Sequence, residues 1–285
     1  MACVLCGGAA FRDRHEIAGH AVRDCAVCGL TQLDPMPARE RLEELYGDAY
    51  FESDDDGVGY GDYAAQEEEY LATFADDVAR IRTFVPEGRM LEVGCGFGYF
   101  LRAASQAGYE VFGVDASERA VAESRRHFPE RVFQGAVADV AALAAHRFDV
   151  IFAAHLIEHI SDPRPFVRDL AARLDDGGHL VLVTPNLHSL LARLSGRRWV
   201  SFKVPEHVVF YQPETIRALL ADCGLDVVAI DPAYQFYRLP FLMSRVRQLL
   251  RPADRLLPPF ERWGPLRGRI VRVTSGSLRV IARRR

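Results

Sequence analysis

No stretch of this chain approaches the ~18 consecutive apolar residues that a membrane-spanning helix requires, which excludes spans of that kind. Lysine is almost missing: Lys203 is the single one, and every other basic side chain is an arginine. Internal repeats and low-complexity tracts are absent as well. The opening residues Met1-Ala2-Cys3-Val4-Leu5-Cys6 have neither the charged n-region nor the long apolar h-region of a secretory leader. A cytoplasmic, reducing compartment is therefore expected. What remains is 285 residues with 49% apolar and 26% charged side chains, enough for one α/β domain with a real core and a small appendage.

Charge is unevenly spread. Leu42 to Ala79 holds thirteen acids and no basic residue, whereas Tyr234 to the end holds thirteen arginines against Asp254 and Glu261. Such a basic section suits anionic lipid, a phosphorylated substrate or nucleic acid. Compositional bias toward arginine, leaving a merely solvated basic face, is the other account.

The cysteines at the front carry more information. Cys3-x-x-Cys6-Gly and Cys25-x-x-Cys28-Gly form two knuckles, each turning so that two thiolates converge with backbone N–H groups around them. Two knuckles complete a closed S₄ shell, the pattern of structural zinc, and leave no open coordination position. So small a segment cannot bury its own core, so the metal would supply its folding free energy. His15 and His20 are surplus to four thiols, and Cys95 and Cys223 stand apart. Nucleic-acid binding by this ribbon is not expected: Arg12, Arg14, Arg23 and Arg39 face Asp13, Glu16, Asp24, Asp34 and Glu40, which gives no positive surface. A scaffold or substrate-gating role fits better.

The centre of the chain carries Leu91-Glu92-Val93-Gly94-Cys95-Gly96-Phe97-Gly98 after an apolar strand, then helical spacing from Leu101 to Ala107. A second strand, Glu110 to Val114, ends at Asp115. A strand, a Gly-rich turn and a helix N-terminus let backbone approach a ligand, and an acid at the next strand tip can accept both hydroxyls of a ribose. The glycines run G-x-G-x-G rather than the G-x-G-x-x-G of dinucleotide sites, with Tyr99 following.

That spacing resembles the class I S-adenosylmethionine (SAM) methyltransferases over roughly residues 91–223. The likeness includes Gln134-Gly135-Ala136-Val137-Ala138-Asp139, Phe148 to Ala153, and Gly178 to Asn186 as later strands and their ends. It implies an α/β fold: a Rossmann-like seven-stranded sheet with a reversed final hairpin, here joined to the small N-terminal zinc ribbon. It also implies SAM as cofactor. Glu92 and the loop of Gly94, Cys95, Gly96 and Gly98 would cradle the methionine part, and Asp115 would hold the ribose. Ala116 and Val137 would flank the adenine, with Ala153 at the end of the fourth strand. Relatives often place an acid where this chain has Ala136, which leaves adenine recognition to backbone and Asp139.

Residues 1–37 are expected as the ribbon, 38–86 as a helical linker or cap, and 87–285 as the methyltransferase domain. A short helix over Ala38 to Tyr46, an Asp- and Gly-rich loop over Phe51 to Gly61, and an amphipathic helix over Glu67 to Phe84 fill the linker. Lid insertions are expected at 187–212 and 231–276. The second carries leucines and arginines that suit either a cap over the site or peripheral membrane contact. Candidate catalytic residues are His155, Glu158 and His159 after the fourth strand and His207 in Pro205-Glu206-His207. Both segments resemble bacterial small-molecule methyltransferases, including ubiquinone-type O-methyltransferases. A histidine base, a divalent metal held by these four, or a structural role for Glu158 and His159 are all open readings, and Tyr211 is a weaker candidate. The expected activity is methylation, at oxygen, of a small-molecule, sugar or lipid-linked acceptor. Deoxysugar C-methylation, ribosomal RNA methylation and a silent SAM-binding module are the alternatives.

Overall fold

Strand-forming segments between Arg89 and Pro185 are separated by helical ones, so successive strands run parallel with helices crossing over the sheet faces. The computed structural model describes residues 2–37, 66–242 and 268–285. It begins with β1 (Phe11–Ile17), β2 (His20–Cys25) and β3 (Thr31–Leu33), then α1 (Glu67–Ile81). Next come β4 (Arg89–Val93), α2 (Tyr99–Gln106), β5 (Glu110–Asp115), α3 (Glu118–Arg125), β6 (Val132–Gln134), α4 (Ala141–Ala144) and β7 (Phe148–Ala154). A 3₁₀ turn (Ile157–His159) leads to α5 (Pro163–Arg173), β8 (Leu174–Pro185), α6 (Leu190–Ser195) and β9 (Val209–Phe210). The chain closes with α7 (Pro213–Asp222), β10 (Leu225–Arg238) and β11 (Ile270–Arg284). The helix and loop expected over Ala38 to Tyr46 and Phe51 to Gly61 lie outside the described residues, as does most of the leucine- and arginine-rich stretch of the second insertion.

The large sheet has the order β10-β11-β8-β7-β4-β5-β6, with β11 antiparallel to both neighbours. This is the seven-stranded arrangement with a reversed hairpin that the resemblance implies. Strand period decides which face each apolar side chain serves. Ile151 and Ala153 of β7 pack on one side with Val167 and Leu170 of α5 and Leu219 of α7. Val150 and Phe152 point to the other, against Phe100 of α2 and Val78 and Ile81 of α1. There Phe100 and Phe152 stack with centroids 3.8 Å apart, and Phe74 of α1 meets both edge-on.

Two features depart from the expected layout. The final strands reach into the expected lid insertion at 231–276: β10 runs on to Arg238 and β11 begins at Ile270. Much of the described part of the 231–276 insertion is therefore a two-stranded ribbon. Pro232 does not stop β10 because that strand is the sheet's edge, where a missing N–H is tolerated, and the register shifts beside it. Before Ser277, which pairs with Pro185, β11 has outrun β8, and Ile270 to Thr274 pair with β10 alone.

The second departure concerns the ribbon's sheet, which has four strands in the order β1-β2-β3-β9. Its last member comes from the insertion after β8. Cys3, Leu5, Val22, Leu30 and Leu33 share one apolar core with Trp199, Phe202, Val208 and Phe210 and with the α5 face of the large sheet. The segment expected as a separate unit over 1–37 thus packs as part of the larger body.

The opposed charge blocks meet along α1. Arg238 reaches Glu68 and Glu69 at 2.6 and 2.7 Å, Arg272 reaches Asp76 at 2.7 Å, and Arg80 reaches Asp231 at 2.6 Å. Arg279 of β11 is 3% exposed and bridges Asp77 at 2.6 Å and Asp76 at 2.9 Å. Burial pushes Asp77 up to about 6, against the pull of Arg279. Arg279→Met would strand a buried carboxylate, so it should lower unfolding free energy by about 3–5 kcal/mol in urea titration. A loss below about 1 kcal/mol, the range of exposed pairs, would show that the bridge contributes little.

Candidate active site and metal centre

In an open α/β sheet the crevice forms where neighbouring strands send their connections to opposite faces. Here β4 sits between β5 and β7, and the loop after β4 opens beside the tip of β7. Gly94, Gly96 and Gly98 all have left-handed φ, at 75°, 50° and 77°. A Cβ at Gly98 would lie 2.4 Å from the Ser124 hydroxyl, so only glycine lets α2 begin there. The loop is tied to β5 by Gly94 and Cys95 N–H groups donating to the Val114 carbonyl at 2.8 and 3.1 Å.

Asp115 is held from both sides. Gly96 N–H donates to its Oδ2 at 2.8 Å and Ser117 N–H to its Oδ1 at 2.9 Å, so the carboxylate is oriented before any ligand arrives. Each oxygen keeps acceptor capacity for a diol. Glu92 is 3% exposed, and its Oε2 has no hydrogen-bond partner. Burial, reinforced by the negative charge of Asp115, pushes Glu92 well above the usual carboxylate range. An orphaned acid beside a glycine cradle fits a ligand that brings positive charge and N–H donors, as the sulfonium and ammonium of SAM do. Burial likewise pushes the Cys95 thiol well up, which makes it unreactive. Ala116 is exposed beyond Asp115, Val137 is buried after β6, and Ala153 is buried within β7. Tyr70 of α1 stacks on Tyr99 at the start of α2, with centroids 5.7 Å apart.

The tip of β7 carries the titratable cluster. Glu158, His159 and His207 each place a donor atom within 4.8 Å of the others, and all three are buried. His159 Nδ1 lies 3.0 Å from the Glu206 carbonyl and His207 Nδ1 lies 2.8 Å from the Ser201 carbonyl. A carbonyl can only accept, so both Nδ1 atoms carry the proton and, in the neutral rings, both Nε2 atoms are unprotonated. The two rings meet edge-on at 4.6 Å. Burial pushes His159 below its ordinary value and His207 down to about 3, so both are neutral at physiological pH. Burial alone would raise Glu158. The hydrogen bond from His155 and the fields of His159, His155 and His207 outweigh it and hold the acid at about 2.

His155 stands apart from the other three. Its backbone is left-handed at φ 52°, and its Nδ1 lies 3.3 Å from Glu158 Oε1. Sequence reasoning missed Thr184, whose buried hydroxyl donates to Glu158 Oε2 at 2.9 Å. Its place at the end of the fifth parallel strand, before Pro185-Asn186, was the available signal. The Tyr211 hydroxyl is buried without a hydrogen-bond partner, and burial together with the charge of Glu158 pushes it well up.

The four cysteines converge as their spacing implies. Cys3 and Cys28 sulfurs lie 3.6 Å apart, Cys6 and Cys25 sulfurs 3.5 Å, and all four lie within 4.8 Å of one another. A tetrahedral zinc site with bonds of about 2.3 Å puts its sulfurs about 3.8 Å apart, so this donor set fits that metal. No disulfide joins them.

The chain matches a family described as a methyltransferase domain over residues 63–230. It is similar to a ubiquinone biosynthesis O-methyltransferase of a Caulobacter species, at 33% identity over 56% of this chain and 68% of that protein. The protein of the same name in Caulobacter vibrioides is 34% identical over 54% of this chain and 65% of its own length. Among solved structures, the magnesium protoporphyrin IX methyltransferase of Synechocystis PCC 6803 with bound SAH superposes at TM-score 0.52 and 16% identity. That likeness covers 86% of this chain and 94% of the other. A SAM-dependent methyltransferase from Thermotoga maritima superposes at TM-score 0.51, covering 78% and 95%.

Two outcomes follow for the glycine crevice. Asp115→Ala should weaken SAM binding by about 100-fold or more in calorimetry, since it deletes two charge-assisted hydrogen bonds; unchanged affinity would refute the ribose assignment. SAM binding to the unaltered chain should release a proton, because a cation beside Glu92 favours its ionised form. Titrations in buffers of different ionisation enthalpy read this directly, and Glu92→Gln should abolish the release.

Proposed function

Because the chain belongs to this methyltransferase-domain family, we propose that it moves the methyl group of SAM to an oxygen of a small-molecule acceptor in a biosynthetic route. The reading rests on one arrangement: two neutral histidines, anchored through Nδ1 on backbone carbonyls, whose rings meet edge-on at 4.6 Å beside the buried Glu158 beyond the tip of β7. The similarity to ubiquinone biosynthesis O-methyltransferases supports oxygen as the atom methylated. SAM supplies a methyl group on a cationic sulfur. The protein's part is to orient the acceptor and remove its proton, and positioning alone contributes about 7–11 kcal/mol in favourable cases. Asp115 and the glycine loop fix the donor. His159 or His207 takes the acceptor's hydroxyl proton at Nε2 as the new O–C bond forms and the S–C bond breaks. Glu158, kept ionised, stabilises the imidazolium that results.

The four cysteines hold a structural zinc in this reading. Two of the ribbon's cations are spoken for, Arg14 by Asp24 and Arg23 by Asp13 and Asp34, which favours a small acceptor over nucleic acid. One further observation favours a second account of the histidines. Glu158, His159 and His207 offer an oxygen and two nitrogens close enough to share a divalent cation, which would lower the acceptor's pKa in place of a base.

Labelled SAM incubated with fractionated extract, followed by mass spectrometry of whatever gains a methyl group, identifies the acceptor. With it in hand, His159→Ala and His207→Ala should leave SAM affinity intact. The variant that removes the base should lower kcat by roughly 10²–10⁴-fold. Both histidines have depressed pKa values, so the working base stays unprotonated and the acid limb of the rate profile should fall below pH 6.5. Full rate in both variants would refute the base. Turnover lost on chelation and restored by a divalent cation, with the four-cysteine zinc still in place, would favour the metal.

A further inference from the structure

The ribbon's sheet takes its fourth strand from the segment that carries His207. Thr31 pairs with Phe210 and Gln32 with Val209, so β3 and β9 form one antiparallel ladder. Val208 is the junction. Its carbonyl accepts from Leu33 N–H of the ribbon at 2.9 Å, and its own N–H donates to the Glu158 carbonyl at 2.9 Å. One residue thus ties the ribbon to the turn bearing Glu158 and His159, and His207 is its immediate neighbour.

The second knuckle sets where β3 lies. Only Gly29 and Leu30 separate Cys28 from Thr31, and Cys25 and Leu30 close the turn with a 2.8 Å backbone bond. The Gln212 side chain, just after β9, donates to the Gly29 carbonyl at 3.3 Å. The first knuckle is held from the other side by Arg164 of α5, which donates to the Val4 carbonyl at 2.8 Å and also to that of Leu5.

Side chains make a parallel connection. His15 of β1 meets the Phe202 ring edge-on at 5.6 Å, and Phe202 in turn meets Trp199 at 5.2 Å and Phe210 at 5.0 Å. Ser201, whose carbonyl fixes the His207 tautomer, directly precedes Phe202. The ribbon's described hydrogen bonds and ring contacts run to α5, to the Glu158 turn and to the insertion after β8.

We propose that the four-cysteine metal unit is a positioning device for the acceptor half of the site, holding His207 against His159 and Glu158 through β3, Val208 and Phe202. It rests on the reading of the cysteines as zinc ligands and of His207 as a working residue. Removing the metal frees two knuckles that have no core of their own, so β3 loses its anchor and β9 its partner. The glycine crevice keeps its own supports.

The test uses the full chain with Trp263→Phe, which leaves Trp199 as the sole tryptophan. Cys6 is exposed, so a zinc chelator can reach the cluster. Stripping the metal should shift Trp199 emission to longer wavelength and move the His207 ring resonances, with SAM affinity unchanged. kcat on the identified acceptor should fall by roughly 10–100-fold, and zinc should restore it. Phe202→Ala in the zinc-loaded protein should keep the metal and SAM affinity and yet reproduce the fall in kcat. Unchanged Trp199 emission and kcat in the stripped protein would overturn the proposal, and so would full kcat in Phe202→Ala. SAM affinity lost along with zinc would overturn it too, because the metal would then support the whole fold. Emission and ring resonances need no acceptor, so failure of the metal coupling and failure of the enzymatic reading are told apart.

Discussion

The reversal of winding order at β4 and β7 is the constraint from which the rest follows. A parallel sheet cannot close its own strand ends. Where connections leave for opposite faces, backbone N–H groups and side chains at the tips are left without neighbours to cover them. This chain fills that gap with two half-sites of different character. After β4 and β5 the groups are backbone and carboxylate: three left-handed glycines and Asp115, oriented by Gly96 and Ser117 N–H groups. After β7 they are imidazoles buried deeply enough to stay neutral, beside a carboxylate kept ionised. A cationic donor suits the first half, and a hydroxyl that must lose a proton suits the second.

Each half has its own support, drawn from a different part of the chain. The donor half leans on α1, whose acids are matched by arginines from the long β10–β11 ribbon, with Arg279 sealed between Asp76 and Asp77. The acceptor half leans on the four-cysteine ribbon through β9. The charge asymmetry of the sequence is thus partly internal: an acidic helix and a basic hairpin neutralise one another, and Arg238, Arg272 and Arg279 are occupied by α1.

Most of the large sheet was legible because its signals are local. An apolar run ending in Gly94-x-Gly96-x-Gly98, or in Asp115, declares strand, turn and helix within ten residues of chain. The four-cysteine cluster was legible for the same reason, since two knuckles need only meet. What escaped the sequence is what depends on partners distant along the chain. The extension of β10 past Pro232 is possible only because β10 lies at the edge, and edge position is a property of the folded sheet. Arg279 is an arginine in a strand, and only the placement of α1 over that face buries it. Val209-Phe210 is too short to announce itself as a strand; β3 makes it one. Thr184 read as an ordinary strand residue until Glu158 was seen to accept from its hydroxyl. Motif-level chemistry was visible, then, and the wiring between the ribbon and the histidines was not.

The central claim, that an adenosyl sulfonium occupies the glycine crevice, is tested most directly by a crystal structure of the chain soaked with SAH. The ribose hydroxyls should lie within hydrogen-bond distance of Asp115, with the homocysteine amino group near Glu92. An empty crevice, or a pyrophosphate-bearing nucleotide lying across Gly94 to Gly98 from a competition soak, would contradict the account.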